Sequence, residues 1–589
     1  MTKKSKPSIN LLRWSDHVPI SVVQDPLGLG LRGSARLSSR LLYCITSITP
    51  RARYFSFIPW CIFDHLQREK GLPHALSLRE GIIIREQAFT LGCISNYKGD
   101  SYPGGGLVGS RDAKYWHAKG EQVADFKKIM KKKFSKNPAL DAYYNSLVNL
   151  GMFLTDSEKL VSDDEGSGEI FTFDDIELSP LGLDLAKRFD QKASSLATTK
   201  GISSVNRSCS LNDLVMFGKY CGLCELSKKE SADRELLRDI FFALVETKSE
   251  SHLVRRQSLL LCLELCRQFS FNDWVLDELG FASAVYYGEL ANEDSRLVIV
   301  IPPQLLNIVT RWRMFYFHHY MSVALEGLFS WLVSQLGNYG LGGATIDSFV
   351  GQLTETEVRK NISEILGVSL ESSFGDMTPA ALFAMAGIKG SDFDDAMSRS
   401  IDQVVTSLSP FAEDSLEVLI RSNDYLYSST GLALPMILLS VTLARYSQWE
   451  STDYGKWLAN VANDPYLDLV PPLVANGLVR RFGDWWNTPF QELAGFVLSR
   501  YVIQQHQSMS YEKTLAGERC LLQVDGPKIV SIGGFEKIGM GNPRLGSAIQ
   551  ILIDLGLIEK EEEGINRLTT EGESFLMREM AKEGTYEIP

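Results

Sequence analysis

The chain has 589 residues, of which 44% are hydrophobic and 22% charged, and its formal net charge is −12 at pH 7. This composition is ordinary for globular proteins, and it excludes wholesale disorder, collagen-like repeats and a multi-span membrane protein. The length predicts about four domains or one large multi-layer assembly. The nine cysteines are scattered rather than set in a dense framework, and the basic N-terminus lacks the apolar stretch of a signal peptide. Both features predict a cytoplasmic protein.

The N-terminal part is basic within an acidic chain. Residues 1–60 contain nine Lys or Arg and only Asp16 and Asp25 as acids, a local net charge of +7. A second cluster lies on a predicted helix that begins near Gln122, and it comprises Lys127, Lys128, Lys131, Lys132, Lys133 and Lys136. Lysine and arginine supply most non-specific affinity for a phosphate backbone. We therefore expect the N-terminal part to bind nucleic acid, most simply DNA.

The segment Thr49–Trp60, with the sequence TPRARYFSFIPW, is the most informative stretch of the chain. Two arginines precede four aromatic residues, a mixture that can contact the backbone and bases of nucleic acids. An alternative is equally favoured, in which the aromatic rings pack a core and Arg51 and Arg53 pair with acids. On the first interpretation the nucleic-acid-binding residues are Arg32, Arg36, Arg51, Arg53, Tyr54, Lys127, Lys128, Lys131 and Lys132.

Two stretches share the pattern of a helix, a Leu-Gly pair, a hairpin, a Leu-Ser/Thr-x-x-Gly motif and a second helix. The first covers about 140–190, and the second lies at the C-terminus, at about 515–585. The pattern is typical of winged helices. Between them, helical periodicity dominates. The sequence therefore predicts a mainly α, multi-domain protein, with a basic N-terminal domain over 1–195, a helical middle domain over 196–505 and a C-terminal winged-helix domain over 506–589.

Several motifs resemble ligand sites, but each has a simpler interpretation. Gly28, Gly30 and Gly33 form a GxGxxG pattern without the closely preceding strand of a dinucleotide fold, so a glycine-rich connection is favoured. The stretch 104–111, GGGLVGSR, could form an anion-binding nest, although an ordinary loop is the better interpretation. The acidic positions from 163 to 174 match a calcium loop incompletely. No cofactor is expected.

The cysteines and histidines also favour structural roles. Cys221 and Cys224 form a CxxC pair, but its possible zinc partners, Cys262 and Cys266, lie in an apolar helix. Buried structural thiols are therefore expected, without metal. His318 and His319 are neighbours on a predicted aromatic-rich packing helix and point about 100° apart, which suits local hydrogen bonds better than a shared metal.

One segment is long enough to cross a membrane. Tyr425–Ala444 carries no charge over twenty residues, but it contains several hydroxyl side chains and a central Pro435. We interpret it as a buried helix preceded by a turn, and we expect no membrane partner.

The chain resembles an uncharacterised bacterial family whose members occur in anti-phage defence and restriction-like gene neighbourhoods. The resemblance is carried by the DPLGLG motif that starts at Asp25, by Thr49–Trp60, and by RLGSAIQILIDLGLI over Arg544–Ile558. It implies membership of a multi-protein defence system in the cytoplasm, and it supplies no catalytic residues.

Two classes of function follow. The first is a non-catalytic nucleic-acid-binding or scaffolding subunit of a defence complex, acting beside other defence proteins such as an ATPase or a nuclease. The second is an enzyme, most plausibly a nuclease whose carboxylates converge only in three dimensions. A variant of the first is a winged-helix adaptor that clamps an ATPase partner, which the acidity of the C-terminal unit suggests: residues 551–589 hold ten acids and four bases.

Overall fold

The structure is a computed structural model, and it describes most of the chain. The described residues are 27–69, 76–99, 102, 105–131, 138–154, 176–202, 207–228, 230–245, 249–271, 274–292, 294–385, 401, 405–450, 470–514, 520–532, 544–561 and 565–583.

Helices dominate the described residues, which confirms the predicted mainly α class. In the first half of the chain the helices are Leu31–Leu41, Tyr54–Glu69, Leu78–Asn96, Ser110–Ala118, Phe126–Lys131, Ala139–Asn149, Pro180–Ala193, Ala197–Gly201, Leu211–Cys221, Arg234–Phe241, Glu250–Ser270 and Glu278–Tyr286. In the second half they are Leu306–Tyr339, Ile346–Val350, Thr356–Leu366, Pro379–Met385, Glu413–Ser422, Thr430–Glu450, Val470–Phe482, Phe490–Val497, Gln504–Thr514, Leu545–Asp554 and Thr570–Glu583, with a π-helical stretch at Leu498–Ile503.

The strands are short and pair antiparallel. Four two-stranded hairpins or ladders join Val123–Asp125 with Ser208–Ser210, Phe153–Leu154 with Glu177–Leu178, Glu289–Ala291 with Arg296–Val298, and Ile558–Lys560 with Asn566–Leu568. A three-stranded sheet has the order Ala344–Thr345, Lys528–Ser531, Leu522–Asp525. Two of the hairpins belong to the units that the sequence predicts.

The longest helix, Leu306–Tyr339, lies at the centre of the core. Its residues are buried on all sides, including Trp312 and Trp331, and its main partner is the apolar helix Thr430–Glu450. Gly327 allows close approach of the two helices, because a Cβ there would lie 3.1 Å from Cγ of Pro435. A helix without a polar face is stable only when neighbours cover it, as here.

Among the described residues, one helix is long and apolar enough to cross a membrane, and its window is Thr430–Trp449. Of that window, 89% is buried inside the protein. The predicted interpretation, a buried core helix, is therefore confirmed for this segment.

The other motifs of the sequence differ in burial. Cys221, Cys262 and Cys266 are buried, as expected of structural thiols, whereas Cys224 is half-buried. His318 shares a hydrogen bond with Ser322 of the same helix at 3.3 Å, which agrees with the expected local bonds, whereas His319 lies 3.0 Å from Glu417 on a neighbouring helix. The acidic calcium-loop-like positions 163–174 lie outside the described residues.

Candidate functional site

The two predicted units share one backbone framework. In what we call the first unit, residues 139–193, the helix Ala139–Asn149 precedes a hairpin and the helix Pro180–Ala193. In the second unit, residues 545–583, the helix Leu545–Asp554 precedes a hairpin and the helix Thr570–Glu583. The helix–hairpin–helix pattern is thus present twice, and its assignment to the winged-helix class stays a prediction.

The Leu-Gly pair ends the leading helix in the same way in both units. Gly151 and Gly556 adopt left-handed φ angles of 73° and 70°, which glycine tolerates without strain. The following amide then turns back to the helix: Met152 N–H donates to the Leu147 carbonyl at 2.9 Å, and Leu557 N–H donates to the Leu552 carbonyl at 3.0 Å. Such bonds supply a donor to carbonyls in the last turn, which have no partner within the helix.

The Ser/Thr-x-x-Gly motif closes both units. Ser179 Oγ donates to the Gly151 carbonyl at 2.6 Å, and Thr569 Oγ1 donates to the Gly556 carbonyl at 2.8 Å. The same hydroxyls cap the next helix, because they accept from the amides of Gly182 at 3.1 Å and Gly572 at 2.9 Å. A Cβ on Gly182 would lie 2.1 Å from the Met152 carbonyl oxygen, and one on Gly572 would lie 2.0 Å from that of Leu557. Only glycine fits either position.

The segment Thr49–Trp60, which we call the hub segment, lies between these two units. The amide of Arg51 donates to the Tyr143 hydroxyl of the first unit at 3.2 Å. The Arg51 guanidinium Nε and the Ala52 amide both donate to Asp554 Oδ2 of the second unit, each at 2.9 Å. The hub segment therefore touches the leading helix of both units.

The rest of the hub segment is equally engaged. Arg53 pairs with Asp233 at 3.4 Å, and its guanidinium lies 4.8 Å from the Phe189 ring centroid of the first unit. Trp60 Nε1 donates to Asp190 of the same unit at 2.9 Å. Phe57 stacks on Phe89 with ring centroids 4.1 Å apart. Cationic and aromatic side chains are combined here to build a core.

This geometry corrects the predicted role of three residues. Arg51, Arg53 and Tyr54 are each 1% exposed, so the prediction that they contact nucleic acid is wrong. The alternative interpretation, aromatic packing with arginine–carboxylate pairs, is confirmed by their contacts. The residue types fit both functions, and only the positions of Asp233 and Asp554, far away in sequence, distinguish them.

The other predicted residues lie elsewhere. Arg32 and Arg36 are half-buried on the helix Leu31–Leu41, which packs against Leu306–Tyr339. Lys128 is 82% exposed, and it belongs to a helix that packs against Leu78–Asn96. Lys127 and Lys131 lie in the same helix, Phe126–Lys131, whereas Lys132 lies outside the described residues. Among the described side chains of the predicted set, Lys128 is the exposed one, Arg32 and Arg36 are half-buried, and Arg51, Arg53 and Tyr54 are buried.

Two buried arginines form further ion pairs that the sequence did not reveal, and these pairs fix the second unit. Arg256 donates to Glu579 of its closing helix at 3.0 Å. Arg238 donates to the Leu555 carbonyl at 2.9 Å and also pairs with Glu571. Buried charges are costly unless they are paired and hydrogen-bonded, so these contacts tie the second unit to the helices Arg234–Phe241 and Glu250–Ser270. The second unit is part of the shared core, and the predicted boundary near residue 506 is crossed by these pairs.

A cleft of about 300 Å³ opens beside the hub segment. It is lined by the loop around Arg51, by Gly105 and Gly106, and by the start of the helix Leu545–Asp554. Arg51 Nη1 donates to the Gly105 carbonyl at 2.8 Å, and Gly106 packs so closely that a Cβ would lie 2.8 Å from Cγ of Pro50. The cleft thus joins three stretches that the sequence analysis singled out.

The cleft has the chemistry of a binding surface. The N-cap residue of the helix Leu545–Asp554, Arg544, makes no side-chain cap hydrogen bond, and Arg544, Gly546 and Ser547 line the cleft. The amides at a helix start attract anions. Glu278 also lines the cleft, and its Oε1 would lie 3.7 Å from a Cβ on Gly546, so its negative charge opposes that attraction. Within the described part of the chain, no group of three or more His, Cys, Asp or Glu side chains could hold a metal ion.

No protein-family model, curated protein or solved structure matches this chain.

Proposed function

We propose that this chain is a non-catalytic scaffolding subunit of a cytoplasmic anti-phage defence complex, and that it also binds DNA weakly through an N-terminal basic surface. The observation that carries the proposal is the position of the hub segment between two equivalent helix–hairpin–helix units. Buried contacts at both units support a rigid connection. A partner bound to one unit would then be held in a fixed geometry relative to a partner bound to the other.

The assembly with defence proteins rests on the family resemblance. The resemblance includes the hub segment and the leading helix of the second unit, and these two elements contact each other through Arg51 and Asp554. A family signature that coincides with a packing interface fits a structural role for the signature itself.

We propose that nucleic acid binds to a surface other than the hub segment. Arg111, Lys119 and Lys128 are exposed on short elements that pack against the helix Leu78–Asn96. Tyr115, 67% exposed, lies beneath Lys119, whose Nζ is 4.3 Å from the ring centroid. An exposed ring beside lysine and arginine suits backbone contact and base stacking. We propose that Arg111, Tyr115 and Lys119 act together with Lys128, which also pairs with Asp125 at 3.5 Å, and we call these four residues the basic face.

The nuclease alternative receives less support from the described carboxylates. Seven buried carboxylates each pair with an arginine of this chain: Asp64, Asp233, Glu264, Glu289, Glu413, Asp554 and Glu579. A carboxylate in such an ion pair stabilises the fold, and its oxygens are not directed to a metal or a water. The adaptor variant, in which the acidic second unit clamps an ATPase, stays a prediction.

The test is purification of the full chain from its native host, with its neighbouring genes intact and with any bound nucleic acid sequenced. We expect stoichiometric protein partners that survive nuclease treatment, and nucleic acid of no fixed sequence that high salt removes. Recovery of the chain alone, or turnover of nucleic acid by the purified chain with a divalent metal, would contradict the proposal.

A further inference from the structure

Apolar side chains are exposed around the C-terminal end of the helix Glu250–Ser270. Phe271 is 74% exposed, Leu279 67% and Val300 71%. Val275 and Val298, in the same part of the chain, are exposed as well. Single exposed apolar residues are normal, but a contiguous group of large ones marks an interaction surface.

The contacts beneath these residues connect the segments that carry them. Gln268, in the last turn of the helix, donates to the Val300 carbonyl at 2.8 Å and accepts from the Val300 amide at 3.2 Å. Phe269 lies under the start of the next helix, because a Cβ on Gly280 would be 3.2 Å from its ring. The segments that carry Phe271, Leu279 and Val300 therefore meet near the end of the helix Glu250–Ser270, and we call these three exposed side chains the apolar patch.

The hairpin of the second unit borders the apolar patch. Asn566 Nδ2 donates to the Leu276 carbonyl at 2.8 Å, and Arg567 Nη1 donates to the Ser270 carbonyl at 3.2 Å. The patch is thus continuous with the acidic hairpin that follows the helix Leu545–Asp554.

The rim of the patch is negative. Its arginines are neutralised within the chain, since Arg267 pairs with Glu264, Arg296 with Glu289 and Arg567 with Glu561. The exposed carboxylates outside these pairs are Asp277, Glu278, Asp294 and Glu559, and they outnumber the exposed lysine of the hairpin, Lys560. The C-terminal end of the helix Glu250–Ser270 adds the negative pole of its dipole. Lysine or arginine would complement this rim, whereas a phosphate backbone would be repelled.

We propose that the apolar patch docks a segment of a partner protein that presents apolar side chains flanked by lysine or arginine. The proposal rests on the proposed scaffolding function and names the surface and the chemistry of one partner. The apolar side chains would fill the space over Phe271 and Leu279, and the flanking cations would meet the carboxylate rim. Apolar anchors inside a charged rim are the usual anatomy of such interfaces.

The experiment measures binding of two synthetic amphipathic peptides to the full chain by fluorescence anisotropy. Both peptides are about five helical turns long and have the same leucine positions, and the polar positions are lysine in one and glutamate in the other. We expect the leucine–lysine peptide to bind and the leucine–glutamate peptide not to bind. Phe271→Ser with Leu279→Ser should weaken binding by about tenfold or more, the effect of losing anchor residues.

Matched controls keep the test specific. Val418→Ser with Tyr427→Ser removes two similarly exposed apolar side chains elsewhere and should leave binding unchanged. Asp277→Asn with Glu278→Gln should weaken binding and flatten its salt dependence. Equal binding of both peptides, or binding that survives the Phe271 and Leu279 changes, would overturn the proposal. Dimerisation of the wild type that the same two changes abolish would assign the patch to a second copy of this chain, and would also overturn it.

The outcome is independent of the test of the proposed function. If the chain purifies from its host with partners but does not bind the leucine–lysine peptide, the scaffolding function is supported and the docking role of the apolar patch is contradicted. If the chain binds that peptide but purifies alone, the docking role is supported and the scaffolding function is contradicted.

Discussion

Nε of Arg51 donates a 2.9 Å hydrogen bond to Asp554, which lies 503 positions later in the chain. Both side chains are almost fully buried, and Asp554 also accepts from the Ala52 amide at 2.9 Å and from Gln550 Nε2 at 3.0 Å. Burial lowers the pKa of Arg51, but the Asp554 carboxylate outweighs burial and holds that pKa above its ordinary value. Burial also raises the pKa of Asp554, and the donors around it oppose that shift, so we take the pair as ionised at neutral pH.

Asp554→Asn should be among the most destabilising single changes on the second unit. It removes the charge opposite a buried guanidinium, and breaking a buried ion pair in this way costs about 3–5 kcal/mol. The measurement is the free energy of unfolding in urea. Glu559→Gln, an exposed carboxylate of the same unit, is the control and should change stability by less than about 0.5 kcal/mol. Similar effects of the two variants would contradict the structural role of Asp554.

Gly182→Ala and Gly572→Ala should each destabilise the protein by about 1–3 kcal/mol, as overpacking does. In both cases the new Cβ would meet a backbone carbonyl oxygen, at 2.1 Å and 2.0 Å, which can move only with the hairpin. Gly337→Ala is the control, because no atom lies within 4 Å of its Cβ position in the helix Leu306–Tyr339. The measurement is the melting temperature of each of the three variants. A decrease for only one of Gly182→Ala and Gly572→Ala would argue against equivalent units.

The carboxyl group of Glu86 should make stability depend on pH. Burial raises the pKa of Glu86 to about 7, although the amides of Ala139 and Leu140, at the start of the first unit, donate to it and oppose that rise. The folded state therefore keeps a proton that the unfolded state releases near its ordinary pKa of about 4.5. The stability contributed by the protonated group is present below that value and is lost as the pH rises to about 7.

Unfolding free energies of wild type and Glu86→Gln across this range give the measurement. The wild type should lose stability relative to the variant as the pH rises. Glu371→Gln, at an exposed glutamate, should run parallel to the wild type. Parallel curves for Glu86→Gln would show that the carboxyl group titrates normally.

Charge reversal on the basic face should weaken DNA binding. Lys119→Glu with Lys128→Glu should lower affinity for duplex DNA and reduce the slope of log affinity against log salt by about 0.9 for each phosphate that the variant no longer neutralises. Lys187→Glu with Lys560→Glu makes the same change in net charge at other exposed positions. Equal losses of affinity in both double variants would indicate a general charge effect and no basic-face site.

The sequence predicted the local framework better than the long-range pairing. The Leu-Gly pair and the Ser/Thr-x-x-Gly motif form their own short-range hydrogen bonds, so the two units were recognisable from spacing alone. Arg51 is buried in an ion pair with Asp554, and Arg256 in one with Glu579, and each partner lies hundreds of positions away in sequence. Periodicity contains no information about such partners. The same arginine–aromatic stretch can therefore form a nucleic-acid surface or a core, and only the fold distinguishes the two.

A variant of Arg51, measured for both stability and DNA affinity, tests the central claim most directly. The claim is that the hub segment holds the two units together and does not contact nucleic acid. Arg51→Met keeps the apolar stem but leaves Asp554 buried without its cation, so we expect the free energy of unfolding to fall by about 3–5 kcal/mol. The affinity of the folded variant for duplex DNA, measured well below its melting temperature, should equal that of the wild type. Unchanged stability together with a clear loss of DNA affinity would contradict the account.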